Sequence, residues 1–346
     1  MSPCSCDGAA CCEGNQLPYQ SCQLCPRNCS VARIGGPAGF CGEPAAVRAA
    51  VACLHFGEEP PITVFGGSGT IFISGCNLGC AFCQNYQISQ QGMGAELSRD
   101  DFAKVCLALE AAGAENINIV TGSHAVPAIV EGLTEARMRG LELPVCWNSS
   151  AYEKVEVLQR LGGLVDIWLP DFKTINPQTS AALFKAKDYP QRAQESILFM
   201  VENSPLRFQK RRQSGETREK LLRGVIVRHL FLPGHLEDTI LTLEWLKKHL
   251  DGRVYLSLMS QYTPVPFVEE EAQLERRRQR LQALENRLVS QDEFQDLQDI
   301  LTAYDFKYLF YQELVEDTEW LPDFDRVQPF SYELAKPVWH WREGFI

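Results

Sequence analysis

Three cysteines at spacings of four and three follow directly on a short apolar run. The run is Thr70-Ile71-Phe72-Ile73, and the loop after it reads Ser74-Gly75-Cys76-Asn77-Leu78-Gly79-Cys80-Ala81-Phe82-Cys83-Gln84-Asn85. A strand-like run that ends in a tight, glycine-bearing loop with three thiols limits both the fold and the chemistry. Iron–sulfur clusters are held by cysteine thiolates, so each thiol suits one iron of a [4Fe–4S] cube. A cube has four irons, and this loop leaves one without a protein ligand. An open position turns a structural metal site into a reactive one, a logic best known for zinc. A zinc loop and three free thiols are the competing readings. Zinc asks for a fourth ligand nearby, and the loop has no histidine.

The 346 residues allow one large α/β domain of barrel size with extensions. No apolar run approaches the roughly 18 residues of a membrane span, and the chain does not start with a basic segment followed by an apolar one. A soluble protein of the cytoplasm, without a membrane role, is the expectation. The net charge of −11 argues against nucleic-acid binding, which needs basic surface. The run Lys210-Arg211-Arg212 is short, lies in a polar stretch and reads as solvated surface. Fourteen cysteines suggest a disulfide scaffold only in small secreted chains. In a chain this long they point to metal or redox chemistry.

Residues 1–21 read as a flexible tail carrying Cys4, Cys6, Cys11 and Cys12. Residues 22–60 form a cysteine-rich segment. Within it Cys22, Cys25, Cys29 and Cys41 are a candidate second metal site, since so small a segment buries little core and a shared metal would hold it together. Zinc and an auxiliary iron–sulfur cluster both suit four thiolates. Then His55-Phe56-Gly57-Glu58-Glu59-Pro60-Pro61 is either an exposed turn across a barrel mouth or a substrate contact.

From residue 61 to 305, strand-like runs alternate with amphipathic stretches, the pattern of a parallel α/β fold. Strands are expected at 70–73, 116–120, 144–148, 165–169, 224–231 and 254–259. Helices are expected to start at Ser98, with Cys106 in the core, to continue to Arg139 after the second strand, and to start at the Ser149-Ser150 cap. More are expected over 176–201, 237–250 and 269–288, and from the Ser290-Gln291-Asp292-Glu293 box to Tyr304. The Glu and Arg residues of 269–288 read as a solvated face with intrahelical pairs. The stretch Gln209–Glu219 reads as a loop or a helix start. This makes a partial (β/α)6 barrel, with a further strand at 307–311 and an aromatic extension, 306–346, packing back on it. In such barrels the chemistry gathers at the C-terminal strand ends, where these polar motifs fall.

The Cys-x3-Cys-x2-Cys loop closely resembles the signature of the radical S-adenosylmethionine (SAM) superfamily. Within it, the chain is similar to the branch of the pyruvate formate-lyase activating enzyme, in the group of activating-enzyme homologues. The likeness runs through Cys22-Gln23-Leu24-Cys25-Pro26-Arg27-Asn28-Cys29, His55 to Pro60 and Ser74 to Asn77. It continues through Cys83-Gln84-Asn85, Leu169-Pro170-Asp171-Phe172-Lys173, Arg228-His229, Leu232-Pro233-Gly234 and Met259-Ser260-Gln261-Tyr262, covering about residues 22 to 330. The resemblance implies a radical SAM barrel in which Cys76, Cys80 and Cys83 hold a [4Fe–4S] cluster. SAM would chelate the fourth iron and be cleaved reductively to a 5′-deoxyadenosyl radical. It places Phe82 beside the adenine and, with Asn85, in the cofactor site. Thr121 stands where relatives carry a Gly-Gly-Glu-type turn, and Gln261 near where they carry a histidine. Asn148 and Ser149 are candidates for the ribose and carboxylate, together with Asp171, Lys173 and Arg228. A bidentate Arg suits a carboxylate. An electron donor such as flavodoxin or ferredoxin is implied as a partner.

Three functions are then open. The radical abstracts hydrogen from the glycine of a glycyl-radical enzyme, or it modifies a small molecule or another protein. The third, of a different class, is a non-catalytic metal carrier or electron-transfer protein, which would not cleave SAM.

Overall fold

A computed structural model describes residues 19–36, 38–314 and 321–346. Most of the N-terminal tail, with Cys4, Cys6, Cys11 and Cys12, lies outside them. The strands are β1 (Val47–His55), β2 (Ser68–Ile73), β3 (Ala95–Leu97), β4 (Ile117–Val120), β5 (Val145–Ser149) and β6 (Ile167–Pro170). They continue with β7 (Arg207–Gln213), β8 (Glu216–Leu230), β9 (Tyr255–Met259), β10 (Leu309–Tyr311), β11 (Ala335–His340) and β12 (Gly344–Phe345). One sheet runs in the order β10-β9-β8-β6-β5-β4-β2-β1-β11-β12. From β2 to β10 along this path every pairing is parallel. This is the predicted α/β partial barrel, with β10 extending the six expected parallel strands.

Three helices among the described residues start at side-chain caps. Ser98 accepts from the Asp101 N–H before helix Arg99–Ala111, and Cys106 on that helix is fully buried. Asn176 accepts from the N–H groups of Gln178 and Thr179, ahead of a Pro at the first helical position. Ser290 and Glu293 form a reciprocal capping box before helix Gln291–Tyr304. Such caps satisfy amide donors that a helix leaves open, typically for about 1 kcal/mol each.

Several expectations need correction. The stretch Gln209–Glu219 is neither loop nor helix but a β-hairpin, in which β7 pairs antiparallel with the first half of β8. Ser214 (φ 50°) and Gly215 (φ 86°) make its two-residue turn, the left-handed pair that matches strand twist. Both hairpin faces are largely exposed, so no apolar alternation marks it. Ser149-Ser150 does not cap a helix. The next helix is the short Val155–Leu158, and the Ser149 hydroxyl turns inward to Glu153. The charged helix ends at Leu281, and Arg277 on it is buried rather than solvated. The His55–Pro61 segment is no exposed turn either, because Glu59 is buried and Glu58 lines a cavity.

Antiparallel β1, β11 and β12 finish the sheet beyond β2. In the aromatic extension, Phe324 packs on Phe72 of β2 at 5.3 Å between ring centres.

Candidate active site at the strand ends

A cavity of about 490 Å³ opens at the C-terminal ends of the parallel strands. Cys76, Cys80, Phe82, Cys83 and Asn85 line it from the loop after β2. The Leu78 N–H donates to Cys76 Sγ at 3.3 Å, and Ser89 Oγ lies 3.3 Å from Cys83 Sγ. Burial pushes the Cys80 thiol up to about 12, against the pull of the Lys173 cation. Displacing that thiol proton with a metal removes the burial penalty along with it.

The loop is held by arginines that the sequence reading missed. Arg27 donates to the carbonyls of Asn77 (2.8 Å) and Leu78 (3.0 Å). Arg280 donates to the Gly79 carbonyl (2.7 Å) and Arg277 to the Ala81 carbonyl (2.8 Å). Thus the N-terminal segment and the charged helix both clamp the backbone between the cysteines. The buried Arg277 also pairs with Glu269 and donates to Gln90 (3.0 Å).

The remaining candidates arrive strand by strand. Thr121 after β4 sits at φ 65°, its N–H donating to the Asn148 carbonyl at 2.8 Å. A non-glycine residue in that region is strained, and such strain gathers at functional sites. The adjacent Gly122 has no room for a side chain, because a Cβ there would fall 2.6 Å from the Trp147 ring. Asn148 and Ser149 end β5, Asp171 and Lys173 follow β6, Arg228 comes from β8 and Gln261 follows β9. All of them line the cavity.

Arg228 is the hub of the floor. It donates to Asp171 at 2.8 Å, to Glu58 at 3.4 Å and to the Asn148 side chain. Lys173 reaches the other Asp171 oxygen at 2.7 Å, and Asn118 donates to Glu58 at 3.2 Å. Burial disfavours each charge here, but pairing decides the outcome. Arg228 and Lys173 hold the Asp171 carboxyl below its ordinary value despite its burial. Burial wins at Glu58, raising its carboxyl against the opposing Arg228. Loss of hydration in its half-buried place and the nearby Arg228 charge lower His55 to about 4.

A second tier, also missed, positions this floor. Glu153 is buried and accepts from Ser123 (2.7 Å), the Trp147 ring N–H (2.8 Å) and Ser149 (2.7 Å). Burial raises its carboxyl, and these donors oppose the rise. The Tyr189 hydroxyl donates to the Asp171 carbonyl and accepts from the Lys173 N–H. Glu153 lies just past a polar strand end, a place where a buried carboxylate has no sequence signature.

Among the described residues, no three Cys, His, Asp or Glu side chains converge on a point that one metal ion would occupy. The profile of the radical SAM superfamily matches residues 70–246, just over half the chain. The chain belongs to the radical SAM superfamily. Its cofactors are therefore a [4Fe–4S] cluster and SAM, and its chemistry starts from a 5′-deoxyadenosyl radical. The uncharacterized protein MJ0674 of Methanocaldococcus jannaschii is 30% identical over 267 residues, covering 75% of this chain and 71% of its own. Streptococcus suis SuiB, solved with bound SAM, is 12% identical with a TM-score of 0.44, covering 69% of this chain. The match takes in 48% of SuiB, so the radical SAM chain described here spans about half that protein's length. A radical SAM methyltransferase from Sphaerobacter thermophilus is 14% identical, with a TM-score of 0.43 and coverage of 78% and 70%. No helix among the described residues is long and apolar enough to cross a membrane.

Proposed function

We propose that this radical SAM enzyme holds its cluster on Cys76, Cys80 and Cys83, binds SAM across the strand ends and abstracts hydrogen from a substrate in the same cavity. The observation that carries this is the convergence on one cavity of the three thiols, Phe82 and the polar residues of five successive strand ends. When bound, the reduced cluster supplies the one electron that splits SAM into methionine and the 5′-deoxyadenosyl radical. The chain's own residues bind, orient and shield. Phe82 offers an apolar face with Phe184 and Tyr262 packed edge-on behind it, at 6.0 and 5.8 Å. Asn148, Ser149 and Lys173 present polar groups to the amino acid and ribose ends. Arg228 keeps Asp171 ionised and so holds Lys173 charged beside the thiols. The half-enclosed walls limit water around a reactive intermediate.

The resemblance of these segments to activating enzymes favours the glycine loop of a glycyl-radical enzyme as substrate. The floor supports a second reading. Its charged groups, Glu58, Asp171, Lys173 and Arg228, suit a substrate that brings polar groups of its own, as a small molecule or a protein side chain would. A one-electron protein donor of the flavodoxin or ferredoxin kind serves either.

The test is anaerobic reconstitution with iron and sulfide, reduction with dithionite and assay of 5′-deoxyadenosine. Wild type should form it from SAM, and Cys76→Ala, Cys80→Ala and Cys83→Ala should each abolish it. An intact cluster that never cleaves SAM would sink the enzyme reading and return the chain to a metal carrier. Adding a peptide that carries a flexible glycine loop separates the two substrates. Deoxyadenosine formation coupled to a glycyl radical supports activation, and unchanged uncoupled turnover favours the polar substrate.

A further inference from the structure

Four thiols of the N-terminal segment have no role in the reaction. Cys22 and Cys25 are buried, Cys29 and Cys41 half-buried, and no residue from 22 to 43 lines the cavity. The backbone nevertheless folds them together. The Cys22 N–H donates to the Val31 carbonyl and the Ser30 N–H returns to the Cys22 carbonyl, both at 2.9 Å. The Asn28 N–H closes a turn onto the Cys25 carbonyl at 3.1 Å, and Gly42 closes another onto Gly39 at 3.0 Å. Cys25 lies within electrostatic reach of Cys22, Cys29 and Cys41. Two of the sulfurs already accept hydrogen bonds, Cys29 from the Phe40 N–H at 3.3 Å and Cys22 from Arg33 at 3.6 Å. Arg33 is buried and cationic, and it also donates to the carbonyls of Glu43 and His124. A fixed cation suits a site that gathers thiolate charge.

The segment needs such a centre. Its own apolar cluster is only Tyr19, Cys22 and Leu24, with a few partly buried neighbours. Zinc would bring sulfurs to about 2.3 Å from one ion, so that they would stand roughly 4 Å apart. Among the described residues no such convergence occurs. The thiolates of a cube sit on different irons and stand further apart, and the thiols of the 76–83 loop likewise do not converge on a single ion.

We propose that Cys22, Cys25, Cys29 and Cys41 hold a second [4Fe–4S] cluster, with every iron ligated by protein. It lies against the 76–83 loop, outside the lining of the cavity. The contact is close: a Cβ on Gly75 would fall 3.0 Å from the Cys41 carbonyl oxygen, and one on Gly79 would lie 3.3 Å from the Phe40 ring. With no open iron this cluster has no place for SAM. Its chemistry is the gain of one electron from a low-potential one-electron donor and the loss of that electron to an acceptor.

The experiment counts iron, acid-labile sulfide and zinc in anaerobically reconstituted wild type, in the Cys76→Ala/Cys80→Ala/Cys83→Ala variant and in Cys25→Ser. Wild type should hold about eight irons per chain and the triple variant about four, with matching sulfide. Reduction of the triple variant should give an electron paramagnetic resonance signal that SAM leaves unchanged. Cys25→Ser should lose about half the iron and keep the SAM-sensitive signal, which guards against a triple variant that simply fails to fold. Wild type with only about four irons, or a tightly bound zinc ion that Cys25→Ser releases, would overturn the proposal. So would a triple-variant signal that shifts on adding SAM.

Discussion

Arg277 and Arg278 are neighbours on one helix with opposite environments. Arg277 is buried, ties Glu269 to the Ala81 carbonyl and thereby fixes the cysteine loop. Arg278 is exposed and pairs only with Glu271 and Glu275. Removing one partner of a buried ion pair strands the other charge, at about 3–5 kcal/mol, whereas exposed pairs are worth about 0–1 kcal/mol. Arg277→Ala should therefore lower the urea midpoint sharply and lose iron on gel filtration, while Arg278→Ala should do neither. Equal behaviour of the two would disprove the clamp. Glu153 gives a test in pH. Its carboxyl is raised in the folded protein by burial. A raised group adds stability that is fully present below the unfolded value near 4.3 and is lost as pH climbs through the folded one. Glu153→Gln cannot titrate, so its stability relative to wild type should improve from about pH 5 to pH 8 in urea melts. Glu153→Ala should be worse than Gln at both, because it strands the Trp147, Ser123 and Ser149 donors at about 1–3 kcal/mol each.

The hairpin of β7 and β8 shows what an element can hide. Its turn forces Ser214 and Gly215 into the left-handed region, which costs a bulky residue roughly 1–2 kcal/mol. Gly215→Val should speed amide exchange across 207–220 by about tenfold or more and leave the main melting transition in place. Protection that does not change would mean the hairpin does not depend on its turn. The same element marks the boundary of what the sequence reveals. Parallel strands buried on both faces stand out as apolar runs, so β2, β4, β5, β6 and β9 were legible within a residue or two. A hairpin solvated on both faces has no such alternation, and only Ser214-Gly215 between polar runs announced it. The cavity followed from the barrel, because residues at strand ends share one mouth whatever their distance in sequence. Arg27, Arg277, Arg280 and Glu153 did not follow. Their roles depend on which carbonyl or hydroxyl a long side chain reaches, and spacing does not encode that. The burial of Glu59 and the turn of Glu58 into the cavity were likewise invisible, since two adjacent carboxylates before two prolines read as a surface turn until Arg228 is placed beside them.

At the scale of the whole molecule, the two extensions act on the barrel from opposite directions. The N-terminal segment presses Arg27 and Phe40 onto the cysteine loop. The C-terminal one lays β11 along β1 and brings Pro322, Phe330 and Leu334 to the cavity rim. Phe324 anchors this return. It is 1% exposed, packed on Phe72 and Phe330, and held at its N–H by the Gln87 side chain at 2.8 Å. Truncating a buried Phe to Ala costs about 3–5 kcal/mol, part of it for the cavity left behind. Phe345, by contrast, is 52% exposed at the end of the sheet, and its loss should stay within about 0.5 kcal/mol. Phe324→Ala should thus melt well below Phe345→Ala and wild type. It should still bind a full complement of iron when kept cold, because its partners are Phe72, Phe330 and Gln87 rather than the 76–83 loop. If iron is lost in proportion to stability instead, the extension and the cysteine loop fold as one unit. If Phe324→Ala melts with wild type, the C-terminal return is an appendage rather than a wall of the cavity.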